Sequence, residues 1–305
     1  MKLNQISRRE FLKHASAAAG ALAVTPTFAF TAETAAGKFD PFETVKFGKT
    51  DLNFSRVAMG TGVRGGMRQS NHTRMGGEKC EALMCDAYDR GVRAFDLADL
   101  CGTHPFVTSA LKKMPRKNFV IITKIWFRPG GIPETERPDA DVVIDRFLKE
   151  IGTDYLDLVL LHCVESPKWP EELQRQMEIM AKLKQKGVIR AHGVSCHSIA
   201  ALEAAAREPW VDSVHARINP YGAKMDGPPE KVVPALKKIC AAGKGIVGMK
   251  LIGEGDFRIS DEKRDESVKF ALDLGCVKVL NVGFEKVEEI DDFAARVRKV
   301  KKTVV

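Results

Sequence analysis

The sequence predicts an α/β protein, a (β/α)8 TIM barrel with an N-terminal β-hairpin. After residue 40, short apolar runs alternate with longer amphipathic ones, the pattern of a parallel sheet with crossover helices. The strand-like runs number eight, which is the count that closes such a barrel. The glycines that follow the first run, Gly60, Gly62, Gly65 and Gly66, fit no G-x-G-x-x-G phosphate turn. An open doubly wound sheet would want that turn there.

In chain order, residues 1–36 come first and read as a separate address. Ser7-Arg8-Arg9-Glu10-Phe11-Leu12-Lys13, followed by the small-residue apolar stretch 15–24, is a twin-arginine signal peptide. It implies the Tat translocation machinery as a partner and a periplasmic or otherwise exported location. Small residues place the cleavage after Ala29 or after Ala36, without choosing between them. No run reaches the ~18 apolar residues of a membrane helix, so the mature chain is expected to have no transmembrane span.

Residues 40–305 then form one domain, with no internal repeat or linker. Residues 45–53 have the shape of a hairpin around Gly48-Lys49-Thr50, placed to plug one end of the barrel. The strand runs are 56–60, 93–97, 119–124, 156–162, 189–194, 211–216, 245–250 and 277–282. Helical spacing lies between them. Ile144, Phe147, Leu148 and Ile151 repeat on one face and stop at Gly152, and Leu173, Met177, Met180 and Leu183 stop at Gly187.

Composition narrows the function classes. The net charge is +8, of which residues 1–36 carry +2, and the remainder is interspersed with acids. No basic cluster is paired with stacking aromatics, so nucleic acid is not an expected partner. The seven cysteines are an odd set, scattered singly over strands and helices, which argues against a disulfide framework.

In such a barrel the chemistry sits where the strands end. Asp96, Lys124 and His162 close the second, third and fourth strands. Ser195, Cys196 and His197 follow the fifth, His215 lies in the sixth with Asn219 beyond it, and Lys250 closes the seventh. A lysine paired with an aspartate is suited to tuning a neighbouring acid, and a histidine to orienting a carbonyl. A structural ion pair inside the barrel is the competing reading of Asp96 and Lys124.

The segments FGKTDLNFSRVAMGTG, FDLADLCG, IITK and DLVLLHCVE resemble, in order, those of the aldo-keto reductases. The resemblance covers essentially the whole domain. It implies carbonyl reduction with a nicotinamide cofactor, NADP or NAD, through a tetrad of Asp, Tyr, Lys and His. Asp96, Lys124 and His162 take three of those places, and Cys101 stands where the tyrosine proton donor belongs. A thiol is shorter than a phenol, and beside a lysine it is open to ionisation. Of the three tyrosines, Tyr221 is the one placed to reach the mouth, while Tyr88 and Tyr155 fall in or next to helices.

On the cofactor side, Ser195 takes the place of the serine that holds the nicotinamide amide, but Cys196 and His215 replace its Asn and Gln partners. Met249 and Lys250 follow where a stacking tyrosine is usual. Beyond the eighth strand, Gly283-Phe284 leads to Glu285 and Lys286, without the arginine fork that would grip a 2'-phosphate.

The expected function is that of an exported oxidoreductase acting on a small carbonyl or alcohol. The alternative is a non-catalytic or metal-binding barrel on the same scaffold. For a metal, the candidate ligands are Cys101, His162, Cys163, Cys196, His197 and His215, although no spacing enforces a site and strand alternation should turn some of them away. Substrate choice is expected to reside in loops 128–137 and 223–229.

Overall fold

The computed structural model describes residues 37–302; the signal-peptide reading of residues 1–36 lies outside them. The hairpin comes first. Strands β1 (Thr44–Lys46) and β2 (Asn53–Ser55) pair antiparallel, with Val45 opposite Phe54. Phe47 and Phe54 meet with ring centroids 4.3 Å apart, and with Val45 and Leu52 they join the interior cluster of the barrel beside Ala58, Ala94, Ile122 and Val247. Burying each phenylalanine stabilises by roughly 1.5–3 kcal/mol, so the plug is held mainly by its rings. At its tip Gly48 has φ +58°, and a Cβ there would stand 2.5 Å from the Gly245 nitrogen. Only glycine gives both that conformation and that approach.

The barrel strands are β3 (Val57–Gly60), β4 (Ala94–Asp96), β5 (Val120–Ile125), β6 (Leu156–Val164), β7 (Ile189–Cys196), β8 (Ser213–Arg217), β9 (Gly245–Met249) and β10 (Val279–Val282). All pair in parallel in chain order, and β10 closes the ring against β3. The expected strands are all present, with shifted ends. The 211–216 run becomes strand only at Ser213, because Val211 N–H turns back to the Glu208 carbonyl at 3.2 Å. Strand β6 outruns its expected end through a bulge between Leu161 and Val164, where Cys163 adopts φ +58°.

An amphipathic helix follows each barrel strand. Ala140–Ile151, for example, buries Val143, Ile144, Phe147 and Ile151 against the outer faces of the strands and ends at Gly152 in the left-handed conformation. On the last two helices, Arg296 is buried among Asp261, Asp265 and Asp292. No helix among the described residues is long and apolar enough to cross a membrane.

Strand alternation fixes which side chains reach the axis. On β5, Val120 and Ile122 belong to the interior cluster, and Ile121 and Ile125 to the layer beneath the helices. On β6, Leu158 and Leu160 face in while Val159 and Leu161 face out. Continued upward, the same parity aims Asp96, Lys124, His162, Ser195, His215, Met249 and Asn281 at the axis. It sends Cys196 outward.

Candidate active site

The C-terminal ends of the strands open into a cleft of about 720 Å³. Asp96, Cys101, Lys124 and His162, the four expected catalytic residues, all line it. Lys124 Nζ forms an ion pair with Asp96 Oδ1 and donates to the Leu97 carbonyl at 2.9 Å. The other carboxylate oxygen, Oδ2, accepts from Asn281 Nδ2 at 2.5 Å. Both members of the pair are buried, so each depends on the other for compensation. His162 has its ring edge-on to Trp126 at 5.5 Å. Burial, and then the Lys124 charge, holds its pKa well below the ordinary histidine range, so the ring is neutral.

Cys101 ends a 3-10 turn, Asp99–Cys101, that the loop 61–69 clasps. Arg68 N–H donates to the Leu100 carbonyl at 2.9 Å, and the Arg68 guanidinium meets Asp99 at 3.2 Å. The loop lies on the sulfur itself. A Cβ at Gly62 would be 2.6 Å from Cys101 Sγ, and one at Gly65 2.4 Å. Among the described residues the thiol's one hydrogen bond is to the Gly62 carbonyl, at 3.8 Å. Its openness to ionisation is therefore corrected: burial outweighs Lys124 and pushes it up to about 11.

The expected cofactor contacts divide. Met249, Lys250 and Gly283 line the cleft, and Lys250 Nζ is held by Glu254 at 2.8 Å. Ser195 Oγ lies beneath it and accepts from Cys163 N–H at 3.1 Å. Three assignments need correction. Cys196 faces the outer layer by parity and packs there with Val194 and Ala201. His215 is fully buried below the cleft, with both ring nitrogens unpartnered and Nε2 3.8 Å from Asp96. Lys286 is exposed at the start of the helix Val287–Lys299 and does not line the cleft.

Tyr221 is also corrected. It sits on the outer rim against Phe257, and its hydroxyl donates to Glu266 at 2.5 Å. The metal ligand set disperses for the same reasons as Cys196 and His215. Cys163 Sγ and His197 Nε2 remain a pair at 3.4 Å. Among the described residues no group of three or more His, Cys, Asp or Glu is placed to hold a metal ion. Loops 128–137 and 223–229 do not line the cleft; residues 62–64, 249–252, 254 and 255 do.

The cleft's polar wall carries no motif in the sequence. Asn281 was detectable from parity, two positions beyond inward Val279. Its Oδ1 is buried without a partner. Arg64 and Arg258 line the cleft with no carboxylate partner among the described residues. Arg264 is paired with Asp261 and Asp292. Glu285 and Glu289 complete the wall, Glu285 accepting from Asn71 Nδ2 at 2.6 Å and Glu289 from Glu285 N–H at 2.7 Å.

An Asp–Lys pair and a histidine thus gather at the open end of an eight-stranded parallel (β/α)8 barrel. The chain belongs to the aldo/keto reductase family, whose family model matches residues 59–303. It is 26% identical over 171 residues to the NADH-specific methylglyoxal reductase of Escherichia coli, a match covering 50% of this chain and 51% of that protein. The chain thus spans about half the length of that relative. The aldo-keto reductase YhdN of Bacillus subtilis is 27% identical over 244 residues, 72% of this chain and 68% of that protein. Among solved structures, the holo form of the aldo-keto reductase AKR11C1 from Bacillus halodurans superposes with a TM-score of 0.68. That match, at 19% identity, covers 86% of this chain and 93% of the other, and it establishes the shared fold.

Proposed function

We propose that the chain is an exported reductase of small, reactive carbonyl compounds that uses NADH in preference to NADPH. The observation that carries this reading is the buried Lys124–Asp96 pair, set beside His162 at the floor of a cleft large enough for a dinucleotide end and a small substrate. A methylglyoxal reductase among the relatives supports a 1,2-dicarbonyl as substrate.

The residues present fit a dinucleotide that lacks a 2'-phosphate. Arg64 and Arg258, free of carboxylate partners among the described residues, suit a diphosphate. Met249 offers an apolar surface to a ring, and the orphan Asn281 Oδ1 is an acceptor awaiting a donor. Glu285 and Glu289 are acceptors for ribose hydroxyls and repel a phosphate. When bound, the cofactor supplies hydride. His162, neutral and lining the cleft, directs a carbonyl by hydrogen bonding, and Asp96 holds Lys124 in place.

The SRREFLK segment supports export through the Tat route. That route usually carries proteins already folded, which suits a cofactor loaded before transport. A second reading, a barrel that binds its ligand without turnover, draws on the walled-in thiol at Cys101. Titration of the mature protein with NADH and NADPH, followed by tryptophan fluorescence, together with a methylglyoxal reduction assay, decides between them. Micromolar NADH binding with turnover is the expected result. Binding without turnover favours the second reading, and no binding of either nucleotide sinks the first.

A further inference from the structure

The geometry points to Lys124 itself as the acid that protonates the substrate, in the position of duty that Cys101 has vacated. This rests on the reductase reading above. A reduction of this kind needs one proton at the carbonyl oxygen, and the cleft floor holds few groups able to deliver it.

Each alternative is disabled by its surroundings. The Cys101 sulfur is covered by Gly62 and Gly65, where an added Cβ would lie 2.6 and 2.4 Å away, and its one polar contact points to the Gly62 carbonyl. The loop therefore packs against the sulfur, where a longer side chain at position 101 would need room. His162 and His197 line the cleft as neutral rings depleted of the proton in question, and His197 is engaged with Cys163. Tyr221 is spent on Glu266 at the outer rim.

Of the two ammonium groups on the cleft, Lys250 is paired with Glu254, and Lys124 is the one whose proton count favours it. An ammonium has three N–H bonds. One goes to Asp96 Oδ1 and one to the Leu97 carbonyl, and with Lys124 lining the cleft the third is left for a ligand. Asp96 is itself fixed from the opposite side by Asn281, so the ammonium is positioned from below. A bound dihydronicotinamide would supply hydride to the carbonyl carbon and be left oxidised. Lys124 would give its proton to the oxygen as the π pair moves there, its N–H bond breaking as the O–H bond forms, and the neutral amine would regain a proton from water in the open cleft.

The test uses the full mature protein, with NADH affinity read by tryptophan fluorescence in every variant. Cys101→Ala is expected to lose far less in kcat than Lys124→Arg. Lys124→Arg keeps a cation against Asp96 but offers a far weaker acid. It is expected to lose roughly 10²–10⁴-fold in kcat, the usual worth of a general acid, with the NADH Kd unchanged. In Lys124→Ala, added methylammonium and other small primary ammonium ions should restore turnover, faster for the more acidic ions. A purely structural lysine would show no such trend. A Cys101→Ala variant as crippled as Lys124→Arg, or a rescue indifferent to ammonium acidity, overturns the assignment while leaving the reductase reading intact. A parent that binds NADH but reduces no carbonyl overturns both.

Discussion

Gly65 lies against Cys101 so closely that a Cβ on it would stand 2.4 Å from the Cys101 sulfur, nearer than atoms in contact can come. The loop and the cysteine thus share one fitted volume. Gly65→Ala is expected to destabilise by about 1–3 kcal/mol, the usual range for overpacking. Cys101→Ala in the same chain should recover much of that loss, because the clashing sulfur is gone. Thermal unfolding of the two single variants and the double variant gives the coupling. Additive losses would show that the loop relaxes away from residue 101. By the same contact, Cys101→Tyr is expected to lower Tm and to create no proton donor, since its ring has no route past the loop.

The thiols of the mouth should be chemically quiet. Burial pushes Cys101 up to about 11 and Cys163 to about 12, against the opposing charge of nearby lysine or arginine. Below those values each is a protonated thiol, and thiolate is the form that alkylates. With iodoacetamide at pH 7.5, half-buried Cys85 and Cys240 should label first in the folded protein. Cys101 and Cys163 should wait for unfolding. Peptide mapping checks this, and early labelling of Cys101 would mean that the loop opens readily.

His215 makes stability depend on pH. Burial lowers its pKa to about 3, from the ordinary histidine value of 6.5. The unfolded chain therefore takes up a proton below pH 6.5 that the folded chain refuses. The stabilisation is complete above pH 6.5 and is lost progressively as pH falls toward 3. At pH 5 this one ring costs about 2 kcal/mol relative to pH 8. His215→Met removes the titration and two unpartnered buried nitrogens, so it should raise Tm more at pH 5 than at pH 8. An equal change at both values would mean that the ring is protonated or solvated in the folded state.

The barrel was legible because its signal is repetitive: strand and helix alternate eight times, and no local ambiguity outweighs that count. Asp96, Lys124 and His162 were legible because each closes an apolar strand. Cys196 and His215 were misplaced because position along a strand was weighed more than its two-residue alternation and its depth. His215 faces the axis but one layer too low, and Cys196 faces the helices. The packing of loop 61–69 onto Cys101 left no trace in the sequence, where Gly62 and Gly65 were weighed only against a phosphate-turn pattern that they do not fit. Their contact depends on a 3-10 turn some forty residues away in the chain.

The acidic wall should set the choice of nucleotide, and it can be inverted. Glu289 lines the cleft and is exposed. Its carboxylate is held by the Glu285 backbone N–H, and Glu285 in turn is held by Asn71, so both charges are fixed near the cleft edge. A 2'-phosphate placed there meets two carboxylates, while Arg264, which also lines the cleft, is already paired with Asp261 and Asp292. Glu289→Arg removes one repulsion and adds a bidentate phosphate donor. The substitution is on the surface, so the fold should tolerate it. NADPH affinity is expected to rise at least tenfold, with a smaller change for NADH, and the gain should shrink as salt is raised. If NADPH affinity does not move, the ribose end of the nucleotide lies away from Glu289, and the preference for NADH has to come from some other part of the cleft.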